Sequence, residues 1–284
     1  DGQGGHDNLY GSTLADTLDG GSGDDFMSGD SGNDLYIVDS TADVVSDSSG
    51  DDTIEGYVDI DLADHSGVDV VALAGSATQV EGDNQPNTLY GNPTSDSTLK
   101  GHFHADTLVG YQGDDSLFGG SGDDSLVGNA GSDTLSGGTG VDVMEGGSGG
   151  DTYIVDDPSD AVVEPVASLG TTSSPVDQVI TDLPAYSLPD GIEDLTLTGS
   201  ANSTGTGNAL DNQIVGNTGD NVLSGGSGDD TLGGFDASGN DTLVGGWDDD
   251  TYIVNHDGIV LQEYSGEGHD LIHSMVSMRL PFGV

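Results

Sequence analysis

The sequence predicts an all-β chain, a parallel β-roll or β-solenoid in which nonapeptide blocks alternate with wider β-strand spacer coils. Three observations carry that expectation. Residues 101–154 divide into nines, GHFHADTLV, GYQGDDSLF, GGSGDDSLV, GNAGSDTLS, GGTGVDVME and GGSGGDTYI, with Gly first, Asp sixth and an apolar residue or Tyr eighth in every one. A fixed short period of this kind marks a stacked repeat. The acids are biased, since only seven of 52 are Glu. Outside the nonapeptides the apolar runs are short, β-branched and bounded by Gly, Asp and Pro, with no helical period of useful length.

The spacing has its own chemistry. Gly at positions one, two and four permits positive φ and close backbone approach, so six residues can curl into a tight turn. The three residues that follow suffice for a minimal strand with one side chain inward. Two turns and two strands make a coil of 18 residues. Asp106, Asp124 and Asp142 then line one edge, and Asp115, Asp133 and Asp151 the other. Stacked coils lie ~4.8 Å apart, and carboxylates that close repel. A hard cation taking six to eight oxygens resolves the repulsion, using carboxylates and the carbonyls that Gly-rich turns expose. Calcium suits this better than Mg²⁺, which keeps a strict octahedron and its waters. Two inward side chains per coil bury too little to order its backbone, so metal binding is expected to supply folding energy. The chain should be disordered without calcium and β-rich with it.

These nonapeptides resemble the RTX, or haemolysin-type, calcium-binding repeat family, and the resemblance covers nearly all of the chain. It implies a parallel β-roll and a bacterial protein exported unfolded by a type I secretion system. Folding would then follow outside the cell, on ~10⁻⁴–10⁻³ M calcium. Members include toxins, proteases, lipases and large adhesins, whose catalytic or binding parts usually lie elsewhere. Long spacers and the near absence of Lys and Arg depart from the family pattern and point to an all-repeat surface protein.

In chain order, block 1 covers residues 1–37, with Asp7, Asp16, Asp25 and Asp34 at sixth positions. Its second nonapeptide has Leu14 in place of the fourth Gly, so that turn is expected to be distorted. Spacer 1 is residues 38–81, with strands expected at Val44-Val45, Thr53-Ile54 and Val70 to Leu73. Block 2 is residues 82–154. It enters through Asn87 at a sixth position and a ten-residue unit carrying Pro93, then carries Asp106, Asp115, Asp124, Asp133, Asp142 and Asp151. Spacer 2, residues 155–206, repeats the pattern with Val162-Val163, Val179-Ile180 and Leu195 to Leu197, plus a Ser/Thr-rich loop over 168–175. Block 3, residues 207–253, opens with Asn212 and Asn221 and continues with Asp230, Asp241 and Asp250. Residues 254–284 start a third spacer. Asn offers a carbonyl but no charge, so those turns should bind calcium weakly or stack as uncharged ladders. In all, about 6–10 calcium ions are expected.

Each block ends alike: Tyr36-Ile37-Val38-Asp39, Tyr153-Ile154-Val155-Asp156 and Tyr252-Ile253-Val254-Asn255. Tyr is read as the point where a thin roll opens into wider coils, with an aromatic sugar platform as the alternative. The spacers are expected to continue the solenoid with longer strands and a larger apolar core, separate sandwich domains being the runner-up. Trp247 is expected to lie over the solenoid edge. Asp1 starts inside a nonapeptide and the last spacer breaks off, so the sequence is expected to be a piece of a longer repetitive protein.

Charge and motifs exclude much. A formal charge of −50, with Lys100 and Arg279 the two basic residues besides His, opposes compaction unless counter-ions bind. It argues against nucleic acid and anionic membrane as partners, and no apolar run is long enough to span a bilayer. There is no Cys to staple the fold. Gly29-Asp30-Ser31-Gly32 mimics a serine-protease string but falls in repeat register without triad partners. His102 and His104 fall short of a zinc ligand set, and no EF-hand loop is present. The leading expectation is a non-catalytic, calcium-rigidified segment of a secreted or cell-surface protein, such as an adhesin stalk, surface layer or filament. Partners would be calcium ions and, beyond them, other copies of itself or surface polysaccharide. The alternatives are the folding and secretion module of a hydrolase or epimerase, and a glycan-binding module.

Overall fold

The computed structural model describes residues 1–164, 175–233, 239–263 and 268–277. Among them the chain is an all-β parallel β-solenoid of about 14 turns, with one three-residue 3-10 turn, Leu62–Asp64, and no α-helix. It divides into two compact units: Asp1–Ser148 with Ser159–Ala161, and Gly149–Pro158 with Val162–Val284.

In the first unit, nonapeptides alternate between two walls. Thr88–Tyr90, Thr107–Gln112, Ser125–Ala130 and Val143–Ser148 form one parallel ladder. Gln79–Glu81, Thr98–Phe103, Ser116–Ser121 and Thr134–Thr139 form the other. Eighth-position side chains therefore stack: Leu89, Leu108, Leu126 and Met144 on one wall, and Leu99, Leu117 and Leu135 on the other, all fully buried. Inward positions alternate from the sixth-position Asp to the next opening Gly. Asp at six, the apolar residue at eight and the next unit's opening Gly all face inside.

The first spacer continues this wall. Leu35–Val38 pairs with Thr53–Gly56, then Val70–Leu73, then Thr88–Tyr90, keeping Tyr36, Ile54, Val71 and Leu89 in one column. Sandwich domains are excluded here, because every spacer strand pairs in parallel with the equivalent strand of a neighbouring coil. The expected strands are present, and Ile60–Asp61 and Gln79–Glu81 add two that the sequence pattern did not single out. The core is larger, as expected, with Ile60, Leu62, Val68 and Ala77 also buried. The strands are not longer. They run two to four residues against six in the central block. Without Gly-rich turns to carry the ladder around the corner, apolar side chains fill the corner and the regular pairing stops sooner.

The second unit is built the same way. One wall runs Thr152–Val155, Gln178–Thr181, Asp194–Leu197, Gln213–Val215, Thr231–Gly233, Thr251–Val254 and Leu271–Ser274. Ala185–Ser187, Thr204–Thr206, Val222–Ser227, Thr242–Trp247 and Val260–Gln262 form the other. Tyr153, Val179, Leu195, Ile214, Leu232 and Tyr252 stack inside. The loop expected over 168–175 lies, apart from Pro175, outside the described residues, as do Arg279 and residues 280–284. Trp247 is 61% exposed, which overturns the expectation of a ring packed on the edge.

Candidate metal centres

The turns need their glycines for two different reasons. Positions two and four take left-handed backbone, as at Gly120 (φ 115°) and Gly122 (φ 147°). Even non-glycine residues obey: His102 (φ 79°), His104 (φ 71°) and Tyr111 (φ 82°). This places His102 and His104 as turn formers; His102 Nε2 lies 3.4 Å from Glu81 Oε2. Position one is not left-handed; of the two uses expected of these glycines it takes the second, close approach. There Gly is a matter of space. A methyl on Gly101 would lie 2.3 Å from Asp106 Oδ2 and 2.7 Å from the Gly119 carbonyl oxygen. The sixth-position carboxylate thus occupies the room that a first-position side chain would take.

The aspartates form columns. Each Oδ1 accepts the backbone N–H of the equivalent residue one coil earlier. In the first unit Asp7 donates to Asp25 (2.8 Å) and Asp25 to Asp43 (2.9 Å), while Asp16 donates to Asp34 (2.7 Å) and Asp34 to Asp52 (2.8 Å). Asp106 donates to Asp124 and Asp124 to Asp142, each at 2.8 Å, and Asp115 donates to Asp133 at 2.7 Å. In the second unit Asp151 donates to Asp177 (2.8 Å) and Asp230 to Asp250 (2.9 Å), and Asn221 donates to Asp241 (2.8 Å). All of the sequence-predicted aspartates are buried except Asp7 and Asp16, which are half-buried.

Only one oxygen of each carboxylate is met this way. Oδ2 of Asp7, Asp25, Asp34, Asp106, Asp115, Asp124, Asp230 and Asp250 is buried without a hydrogen-bond partner. A buried, unpartnered carboxylate oxygen is costly. Burial accordingly pushes the carboxyls of Asp106, Asp115 and Asp230 up to about 7, against the opposing pull of the amide that each accepts. The neighbouring column carboxylate pushes the same way. An all-oxygen donor set of this kind, with carbonyls converging beside it, fits a hard divalent cation. Asp16 differs. Leu14 does not take the left-handed backbone, and Asp16 Oδ2 accepts the N–H (2.6 Å) and hydroxyl (2.9 Å) of Ser12. That turn is distorted as expected, and protein donors hold its outer oxygen.

At two of the Asn-bearing sixth positions, Asn212 and Asn221, the amide fills the cation's role, whereas the buried Asn87 Nδ2 meets no acceptor. Asn221 Nδ2 donates to the carbonyls of Asn217 (3.1 Å) and Gly219 (2.6 Å), and Asn212 Nδ2 donates to those of Ile192 and Glu193. These are bonds to turn carbonyls, not the stacked Asn ladders that the sequence suggested. In the ten-residue unit, Pro93 and one extra residue put Ser97 into the column, and its N–H donates to Asp115 at 2.6 Å.

A model of the RTX calcium-binding nonapeptide repeat matches residues 1–36, 38–59, 100–135, 118–153, 206–234 and 235–254, more than half of the chain. The chain belongs to this family. No curated protein matches it. Calcium binding follows from the RTX repeats, and the buried Oδ2 atoms with the turn carbonyls are the groups that would hold the ions. Sequence reasoning missed the column members that spacers contribute: Asp43, Asp52, Asp160, Asp177 and Asp270, whose Oδ1 atoms accept from Asp25, Asp34, Asp142, Asp151 and Asp250. Asp43, Asp52 and Asp160 were findable, being 18 residues beyond a sixth-position Asp. Asp177 and Asp270 follow at 26 and 20 residues, spacings that no fixed period gives. The block-end tyrosines are buried to 0%, which rules out the sugar-platform reading for their rings.

Proposed function

We infer that the chain is a non-catalytic, calcium-rigidified structural segment of a secreted or cell-surface bacterial repeat protein, an adhesin stalk, surface layer or filament. One observation carries the reading: in both units the inside is shared between apolar columns and carboxylate columns, and the spacers prolong those columns. Such an interior is self-repelling without cations and is stiffened by them. About 6–10 calcium ions at millimolar extracellular concentration would suffice, so the chain can cross a secretion channel unfolded and fold outside. The test is circular dichroism with small-angle scattering during a calcium titration of the purified chain. The expected result is an expanded, disordered chain in EGTA and a β-rich, more compact one in millimolar calcium. A full β spectrum in EGTA would overturn the reading, and hydrolysis of glycosidic or ester substrates by this chain alone would favour the enzyme-module alternative.

A further inference from the structure

Two of the block-end tyrosines have an acid as partner. Tyr36 accepts the Gly29 N–H at 2.8 Å, and its hydroxyl donates to Asp47. The Tyr153 hydroxyl donates to Glu164, and Tyr252 accepts the Gly245 N–H at 2.7 Å. These acids hold a defined register. Asp47, Glu164 and Glu263 each stand 18 residues after the first Gly of a Tyr nonapeptide, namely Gly29, Gly146 and Gly245. In the coil that follows a block, an acid therefore replaces the position-one Gly. This is the position where a nonapeptide turn has room only for the neighbouring carboxylate.

The consequence is a third carboxylate. Asp34, Asp47 and Asp52 bring one oxygen each within 4.8 Å of one another. Asp151, Glu164 and Asp177 do the same in the second unit, and so do Asp250, Glu263 and Asp270. Acidic clusters alone carry no assignment, but two members of the first are Asp34 and Asp52, exposed to 2% and 0%. Both have an Oδ2 that is buried and meets no hydrogen-bond donor. Asp250 Oδ2, in the third cluster, is buried in the same way. Carboxylates this close repel one another, and a cation that joins them offsets the repulsion.

We propose that each block end carries a calcium site of its own, distinct from those between consecutive nonapeptide turns. It is built from the last sixth-position Asp, the next column Asp and an acid contributed by the spacer. At the first two block ends the Tyr hydroxyl orients that acid. The site closes the column where the Gly-rich turns run out and ties the spacer to the block. It rests on the calcium reading of the columns and adds acids that lie outside every nonapeptide.

The experiment counts bound calcium by equilibrium dialysis on the full chain. Asp47→Asn combined with Glu164→Gln and Glu263→Gln should bind three ions fewer than the wild type, while Asp124→Asn reports on an ordinary turn. An unchanged count in the triple variant, beside a loss in Asp124→Asn, overturns the block-end sites and leaves the column reading intact. A wild-type chain that binds no calcium overturns both. If the triple variant does not fold, the single variants decide: Asp47→Asn should be one ion short and Asp47→Glu should keep the full count. Equal counts in those two overturn the proposal.

Discussion

Gly119→Ala is the sharpest probe of the carboxylate columns, because two effects of opposite sign compete there. Gly119 is not in the left-handed region, so Ala costs no backbone strain, and the loss of unfolded-state freedom alone would stabilise by ~0.4–1 kcal/mol. The new Cβ, however, would lie 2.3 Å from Asp124 Oδ2 and 2.7 Å from the Gly137 carbonyl oxygen. The carboxylate would have to retreat from 2.3 Å to the 3.4 Å of an ordinary contact, about 1 Å. It has no slack, since Oδ1 is tied to the Asp106 N–H at 2.8 Å. Overpacking of this kind costs ~1–3 kcal/mol. Less the unfolded-state gain, and spread over the about three ions that fill along one edge of the block, that raises the calcium midpoint up to about four-fold. The assay is circular dichroism against free calcium, with Gly5→Ala as control. Gly5 is left-handed (φ 122°) with nothing within 4 Å of an added Cβ, so it reports only backbone strain, ~1–2 kcal/mol. A Gly119→Ala midpoint equal to or below that of the wild type would refute the claim that Gly at position one makes room for the carboxylate.

Three further outcomes are expected. Asp106, Asp115 and Asp230 are held near 7 by burial, well above the ordinary carboxylate range. The folded chain therefore binds more protons than the unfolded one between about pH 4 and 7, and this contribution is lost as pH rises through 7. In EGTA, acidification from pH 8 to 5 should increase β content, and in calcium the midpoint should rise as pH falls; a flat response in both refutes it. Asn221→Asp replaces an amide that donates to the Asn217 and Gly219 carbonyls with a charge that needs a cation there, so dialysis should count one more calcium ion. An unchanged count would show that the turn cannot be converted. Tyr36→Phe leaves the buried Gly29 N–H without its 2.8 Å acceptor and should cost ~1–3 kcal/mol in urea unfolding at saturating calcium; no loss would mean the hydroxyl is incidental.

The repeat pattern alone determined the coil length, the two-walled solenoid and the column aspartates of the nonapeptides, though not those of the spacers. A nine-residue period leaves a Gly-rich chain with one inward apolar residue per strand no other way to pair its backbone. The same pattern with Asp47, Glu164 and Glu263 at replaced glycines was also legible, at an offset of 18 residues, but its meaning depended on where the tyrosine hydroxyls reach. Only the tertiary structure decided how each carboxylate is divided, with Oδ1 spent on the amide of the previous coil and Oδ2 left beside the first glycine. It also decided that Ser97 rather than Asp96 enters the column and that spacer strands are short. Sequence period fixes which residues recur on a face. The direction in which a side chain is held, and which neighbour satisfies it, depends on the coil stacked against it.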